Sequence, residues 1–226
     1  MNFSFDEKSY TAEQVLEVLN PQLTDSRKEK IQFVVENRVQ SFQPVFENIY
    51  DRGNISAAMR SAEAFGFYKF HIIEQPDAKF KAANRVTQGT EKWLDINKYD
   101  TTTSCIESLK AQGLKVYVTH LEAKSINIDE VDFSKPSALM FGNEKEGISK
   151  EALEASDGSV IIPMQGFAQS FNISVAAALS FYHVHQYRKA HQLPSTDLSP
   201  QEQLYLKALY YTKSVKNPNL YFRRSN

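Results

Sequence analysis

Residues 161–183 read IIPMQGFAQSFNISVAAALSFYH: an extended apolar start, a Gly- and Gln-bearing loop, then a helix that opens at Asn172. An Asn at a helix start offers an oxygen to the unpaired amides of the first turn. Ala176, Ala177 and Ala178 leave a smooth flank that another backbone can approach closely. A generic core helix needs neither feature. Taken alone, the stretch also suits a strand, loop and buried helix of an ordinary α/β domain, and the residues upstream decide between the two.

Upstream, short apolar runs alternate with helical stretches. Residues 43–49 read as a strand, 55–65 as a helix stopped by Gly66, and 69–74 as another strand, which makes a β-α-β unit. The pattern repeats with a helix over 102–112 ended by Gly113, strands over 115–119 and 137–141, a short helix from Ser149, a strand over 159–162 and the long helix 172–189. The alternation implies an α/β fold with a parallel sheet flanked by helices. Ahead of it, Thr11-Ala-Glu-Gln14 reads as a capping box before Val15, Leu16 and Leu19, and a second helix covers 26–38. Behind it, the polar stretch 190–199 reads as a linker and 200–214 as a final helix. The expected organisation is an N-terminal helical arm (1–40), an α/β domain (41–190) and a basic helical tail (191–226).

The chain has 226 residues, enough for one well-buried core of roughly 150 residues with extensions. With 42% hydrophobic and 23% charged residues it has a globular composition, and no apolar run nears the roughly 20 residues that span a membrane. The start MNFSFDEKSY carries acids where a secretory signal carries bases, so a cytoplasmic location is expected. The single cysteine, Cys105, rules out an internal disulfide and reads as a buried small residue. His183 and His185 stand two apart on a helix and point to different faces; no metal site is expected.

The net charge of −1 hides an uneven spread. Residues 181–226 hold seven bases, Arg223 and Arg224 among them, against two acids, and Arg27, Lys28, Lys30 and Arg38 cluster near the other end. Interleaved with Tyr205, Tyr210, Tyr211, Tyr221 and Phe222, the tail suits a phosphate-contacting surface with stacking rings. It equally suits a solvated helix face whose tyrosines pack on the core.

No G-x-G-x-x-G lies between the first strand and helix of the α/β part, where the chain reads YDRGNISA over 50–57, so a dinucleotide fold is disfavoured. Residues 142–149, GNEKEGIS, mimic a phosphate loop, but Ile148 stands where the phosphate-binding lysine belongs. Three stretches remain at the carboxyl ends of expected strands, where α/β proteins place ligands. In the first, NIYDRGNISAAMRSAEAFG (48–66), Asn54 can cap the helix at Ile55. Arg60 sits amid Ala57, Ala58, Ala62 and Ala64, where a guanidinium needs an anionic partner or a wet cleft. The second is FGNEKEG (141–147), with free backbone groups about Gly142 and Asn143-Glu144 at its tip. The third is the stretch quoted first.

Asn54 and Arg60, Phe141-Gly-Asn-Glu144 with Gly147, and Ile162-Pro-Met164 with Ser170-Phe-Asn172-x-Ser174 closely resemble, in order and spacing, the three motifs of the SpoU/TrmH-type RNA 2′-O-ribose methyltransferases. The match covers roughly residues 42–188. The resemblance implies a C-terminal deep trefoil knot, a homodimer with an active site shared across its interface, and S-adenosylmethionine as methyl donor with no metal. Carried over residue by residue, it implies a catalytic set of Arg60, Asn54, Glu144, Ser170 and Asn172. It places the donor against Thr119, Gly142, Ile162, Met164 and Phe171. Arg60 would activate the ribose hydroxyl with the help of an RNA phosphate. Two positions depart from the family pattern: Phe171 replaces the common leucine, and Gln186 stands where a second tail arginine is often found.

Short helical extensions resemble those of the tRNA-modifying members, since 40 N-terminal residues leave no room for a separate RNA-binding domain. The function expected is methylation of guanosine 18 in the D-loop of tRNA, with Arg27, Lys28, Arg38 and Arg188 contacting the RNA. A ribosomal RNA ribose methyltransferase and an inactive RNA-binding knot protein are the alternatives.

Overall fold

The computed structural model describes residues 2–74, 87, 89–121 and 124–222. Arg223 and Arg224 of the basic tail lie outside the described residues. The chain divides into two compact units, one from residues 1–39 with 195–226, the other from 40–194.

The first unit opens with β1 (Phe3–Phe5) and β2 (Lys8–Tyr10), an antiparallel hairpin. Its two-residue turn, Asp6 and Glu7, lies at φ 46° and 64°, the left-handed geometry that matches the twist of a hairpin. α1 (Ala12–Leu19) begins with the expected capping box: Thr11 Oγ1 accepts from the Gln14 amide at 3.4 Å, and Gln14 Oε1 accepts from the Thr11 amide at 2.9 Å. α2 (Asp25–Val35) is capped by Thr24.

The second unit then runs through β3 (Phe42–Glu47), α3 (Arg52–Ala64), β4 (Lys69–Ile73), β5 (Asp95–Tyr99), α4 (Thr102–Ala111), β6 (Lys115–Thr119) and β7 (Ile126–Asn127). It continues with β8 (Ser137–Phe141), α5 (Lys150–Ala155), β9 (Gly158–Ile161) and α6 (Ile173–Ala190). The chain returns to the first unit as α7 (Pro200–Ser214) and α8 (Asn219–Phe222). There α7 packs on α1 and α2, Phe5 stacks on Phe222 with ring centroids 4.0 Å apart, and Phe3 stacks on Tyr205 at 4.9 Å. The two terminal segments are therefore one packed unit rather than separate arms.

All seven strands of the second unit form one sheet in the order β5-β4-β3-β8-β6-β9-β7, parallel at every pairing. Alternate residues of β3 face opposite sides. Phe46 stacks on Phe70 and Phe141, each at 5.0 Å, and Phe141 meets Phe181 of α6 edge-on. Val45 joins the other core with Cys105, Leu109, Val116, Met140 and Ala152, under α4 and α5. Ile148 is buried in that core too, which gives an apolar role to the position where a phosphate loop needs lysine. The chain runs outward from β3 through β4 to β5, then crosses to the far side of β8 for β6. That reversal of direction leaves a crevice at the carboxyl ends of the central strands. No helix among the described residues is long and apolar enough to cross a membrane.

One buried polar pair makes the sheet sensitive to acid. His71 on β4 is 2% exposed; its Nε2 lies 2.6 Å from Gln43 Oε1, and its Nδ1 has no partner among the described residues. Burial, with Lys69 nearby, pulls the imidazole down from 6.5 to about 4. The unfolded chain thus binds the extra proton between pH 6.5 and 4 while the folded chain does not. This contribution to stability is whole above pH 6.5 and is lost as pH falls through that window, by about 3 kcal/mol in full. Urea unfolding at pH 7 and pH 4.5 should show a smaller acid loss for His71→Gln than for the parent chain; equal losses would refute the assignment.

Candidate active site

The site is built where β3, β6, β8 and β9 end. β3 finishes at Glu47, whose side chain is 1% exposed. A buried carboxylate is tolerated only when its oxygens are filled. Thr102 Oγ1 donates to Oε1 at 2.5 Å, Ser149 Oγ donates to Oε1 at 2.7 Å, and the Ser149 amide donates to Oε2 at 2.9 Å. Glu47 thus ties the starts of α4 and α5 to the sheet. Burial pushes the neighbouring Cys105 thiol up to about 12, with Glu47 adding to the rise, so this cysteine is inert at neutral pH.

Past Glu47, Asn48 turns the chain at φ 50°, and its carbonyl accepts from Asn143 Nδ2 at 2.6 Å. Asp51 caps α3 through Gly53, at 2.7 Å. The cap therefore lies three residues before Asn54, contrary to the sequence reading, and the Asn54 amide is released for other work. Its Nδ2 donates to Glu144 Oε1 at 2.7 Å, and its Oδ1 accepts from Asn172 Nδ2 at 3.2 Å. Glu144 Oε2 accepts from the Tyr50 amide at 3.2 Å. Asn172 also caps α6 as expected, its Oδ1 taking the Ser174 amide at 2.9 Å. A single line of hydrogen bonds thereby joins all three sequence motifs.

The loop after β8 is closed by a pair of backbone bonds between Asn143 and Gly147, at 2.9 and 2.8 Å. Gly147 sits at φ 71°. A Cβ on Gly142 would lie 2.3 Å from the Gly147 carbonyl carbon and 2.3 Å from the Ile148 nitrogen; only glycine lets these backbones meet.

Between this loop and residues 162–172 lies a cavity of about 470 Å³, within the range of small-molecule sites. All five residues assigned to the donor, Thr119, Gly142, Ile162, Met164 and Phe171, line it, as do Glu144, Ser170 and Asn172. Apolar Phe141, Val160 and Ile161 complete the inner wall. Asn54 is outside the lining and acts on the wall through Glu144 and Asn172. Arg60 is outside it as well, exposed on α3, six residues after Asn54 and roughly 120° away around the helix.

Two arginines assigned to RNA contact face inward instead. Arg38 is 1% exposed, with Nε donating to Tyr210 Oη at 2.9 Å. Arg188 is 8% exposed, bonded to Ser41 Oγ at 3.0 Å and the Pro194 carbonyl at 2.9 Å. Guanidiniums held this way tie chain segments together and offer little to a phosphate. Tyr210, Tyr211 and Phe222 are buried, which favours the core-packing reading of the tail aromatics. Arg27 stays exposed, and the Lys28 ammonium lies 3.1 Å from Asp25. Glu47 and Tyr50 join the site without having been singled out, and Asn143, noted at the loop tip, ties that loop to Asn48. The sequence signal for Glu47 was an acid ending an apolar run. No group of three His, Cys, Asp or Glu among the described residues could hold a metal ion.

A parallel α/β sheet whose strand ends carry Asn, Glu and Asn side chains bonded around one small-molecule cavity is the architecture of the SpoU-type methyltransferases. The SpoU rRNA Methylase family model matches residues 42–182, and the chain belongs to that family. It is 36% identical over 200 residues to the tRNA (guanosine(18)-2′-O)-methyltransferase of Borreliella burgdorferi, covering 88% of this chain and 91% of the relative. To the enzyme of the same name from Thermus thermophilus it is 34% identical over 187 residues, covering 82% and 95%. Among solved structures, the A. aeolicus TrmH/SpoU tRNA modifying enzyme matches with a TM-score of 0.77 and 32% identity over 85% of this chain and 98% of that one. The AviRb methyltransferase of Streptomyces viridochromogenes in complex with AdoMet shares the fold, at a TM-score of 0.61 and 24% identity, over 69% of this chain and 62% of that one.

Proposed function

We propose that this chain methylates a ribose 2′-hydroxyl of RNA, with S-adenosylmethionine as donor and guanosine 18 of tRNA as acceptor. The observation that carries the reading is the convergence of Asn54, Glu144 and Asn172 on one cavity in a chain related along most of its length to tRNA (guanosine(18)-2′-O)-methyltransferases.

The cavity suits an adenosyl donor in size and in its mixture of apolar wall and polar rim. Thr119, Gly142, Ile162, Met164 and Phe171 would hold it, the apolar side chains covering a purine face while backbone groups about Gly142 meet its edge. When bound, the donor supplies a methyl group open to in-line displacement. Thr119 Oγ1 donates to the Met140 carbonyl at 3.1 Å, which fixes that end of the wall. Both Glu144 oxygens already accept hydrogen bonds, so Glu144 serves to position the loops rather than to remove a proton.

A neutral ribose hydroxyl is a weak nucleophile, and a guanidinium whose pKa exceeds about 12 is a poor base. Arg60 therefore acts by holding an RNA phosphate beside the hydroxyl, where a phosphate oxygen takes the departing proton, and by stabilising the oxyanion that forms. In its own chain Arg60 stands off the cavity wall. We infer a homodimer in which Arg60 of a second subunit completes each site. Supporting this, Val175, Leu179 and Tyr182 form an exposed apolar face along α6, spaced four and three residues apart. A trefoil knot formed by the 142–148 and 162–172 segments accords with their lining one cavity and with the place of β8 between β3 and β6. Arg27 and Lys28 are the RNA-facing bases of this reading, and cytoplasmic tRNA is its substrate pool.

Incubation of the purified protein with methyl-labelled S-adenosylmethionine should label unmodified bulk tRNA. Label confined to ribosomal RNA would redirect the reading. The 23S rRNA (guanosine(2553)-2′-O)-methyltransferase RlmP of Bacillus subtilis is 30% identical to this chain, but over only 62% of it.

A further inference from the structure

Tyr50 is 74% exposed, although both sides of its position are fixed. Its amide is bonded to Glu144 Oε2, and one residue later Asp51 caps α3. The ring does not stand alone in solvent: the Lys145 ammonium lies 4.6 Å from its centroid. Lys145 is itself placed at the tip of the closed loop, its amide donating to Asn143 Oδ1 at 2.8 Å. A single exposed aromatic ordinarily needs no explanation. Here an aromatic face and a cation are held together on backbone bonded or joined directly to the cavity-lining Glu144, while neither residue lines the cavity itself. An aromatic face with an adjacent cation is the chemistry that takes a nucleobase and its phosphate.

We propose that Tyr50 and Lys145 form a nucleotide-binding platform at the mouth of the site. The Tyr50 ring stacks on a base of the RNA next to the methylated ribose, and Lys145 swings from the ring to that nucleotide's phosphate. The proposal rests on the RNA-methylating reading and adds the residues that position the acceptor. Stacking tolerates any base, so the pair sets the position of the strand, and base identity is read elsewhere.

Steady-state methylation of tRNA by Tyr50→Ala, Tyr50→Trp and Lys145→Gln tests it, together with donor titration, sedimentation and tRNA binding to the donor-loaded protein. Tyr50→Ala should raise KM for tRNA about tenfold to a hundredfold, with donor affinity and oligomeric mass unchanged, and Tyr50→Trp should restore most of the loss. Lys145→Gln should reduce the slope of log affinity against log salt by about one. If the parent protein methylates tRNA and Tyr50→Ala keeps its KM, the platform is overturned while the functional reading stands. If the parent protein transfers no methyl group to tRNA, that reading falls, and the binding assay decides the platform: equal tRNA affinity of Tyr50→Ala and the parent overturns it. A changed mass or a weakened donor affinity in Tyr50→Ala would assign the ring to subunit contact or loop support, and would also overturn it.

Discussion

Arg60→Ala is expected to lower kcat for RNA methylation about 10²- to 10³-fold, the usual cost of removing one group that stabilises a developing oxyanion. Donor affinity should stay unchanged, because Arg60 does not line the cavity. The split follows from geometry: the Asn54–Glu144–Asn172 line shapes the wall without help from the guanidinium. Stopped kinetics with calorimetric donor titration measure both quantities, and a normal rate would remove Arg60 from the chemistry. Mixed dimers locate the residue. When Arg60→Ala chains are paired with Glu144→Ala chains, a site shared between subunits regains one intact cavity served by one intact Arg60. A site built within a single chain regains nothing.

Gly142→Ala is expected to weaken donor binding by more than tenfold and to destabilise the protein by about 1–3 kcal/mol. The added Cβ would meet the carbonyl carbon and oxygen of Gly147 and the Ile148 nitrogen, at 2.3, 2.4 and 2.3 Å. These are backbone atoms, pinned by the Asn143–Gly147 bonds and by the burial of Ile148, so they cannot rotate away as a side chain would. The loop must open, and it carries Glu144 with it. Thermal unfolding and donor calorimetry report the two effects separately. Gly147→Ala is the comparison: nothing lies within 4 Å of its Cβ, so it should show only the cost of a left-handed φ, about 1 kcal/mol. Wild-type donor affinity in Gly142→Ala would contradict the account of the loop.

What was legible in the sequence was whatever local chemistry settles. Thr11 with Gln14, Ser149, Asn172 and Ser199 each start a helix at the expected place because a cap is decided within four residues. The central strands β3, β6 and β8 read clearly as apolar runs. β5 was missed because Asp95-Ile-Asn-Lys-Tyr99 lies at the edge of the sheet and carries polar residues, and β7 is only two residues long. The Asn54 cap failed for a different reason: the left-handed turn at Asn48 sets α3 to begin at Arg52, so Asp51 becomes the cap. Side-chain direction was the least legible feature. Arg38 finds Tyr210 across 172 residues, and Arg188 finds Ser41 across 147; no local pattern distinguishes such partners from an RNA phosphate. The three motif stretches do meet at one cavity, with Asn54 bonded to Glu144 and Asn172 from outside its lining and Arg60 standing apart from it within its own chain.

The most direct test of the central claim is mass-spectrometric mapping of ribose methylation in an unmodified tRNA transcript after incubation with the purified protein and S-adenosylmethionine. The account predicts one new 2′-O-methyl group, on guanosine 18 of the D-loop, formed about 10²- to 10³-fold more slowly when Arg60→Ala replaces the parent protein. Methylation on a base, or no methylation of tRNA ribose under conditions in which the donor binds, would contradict it.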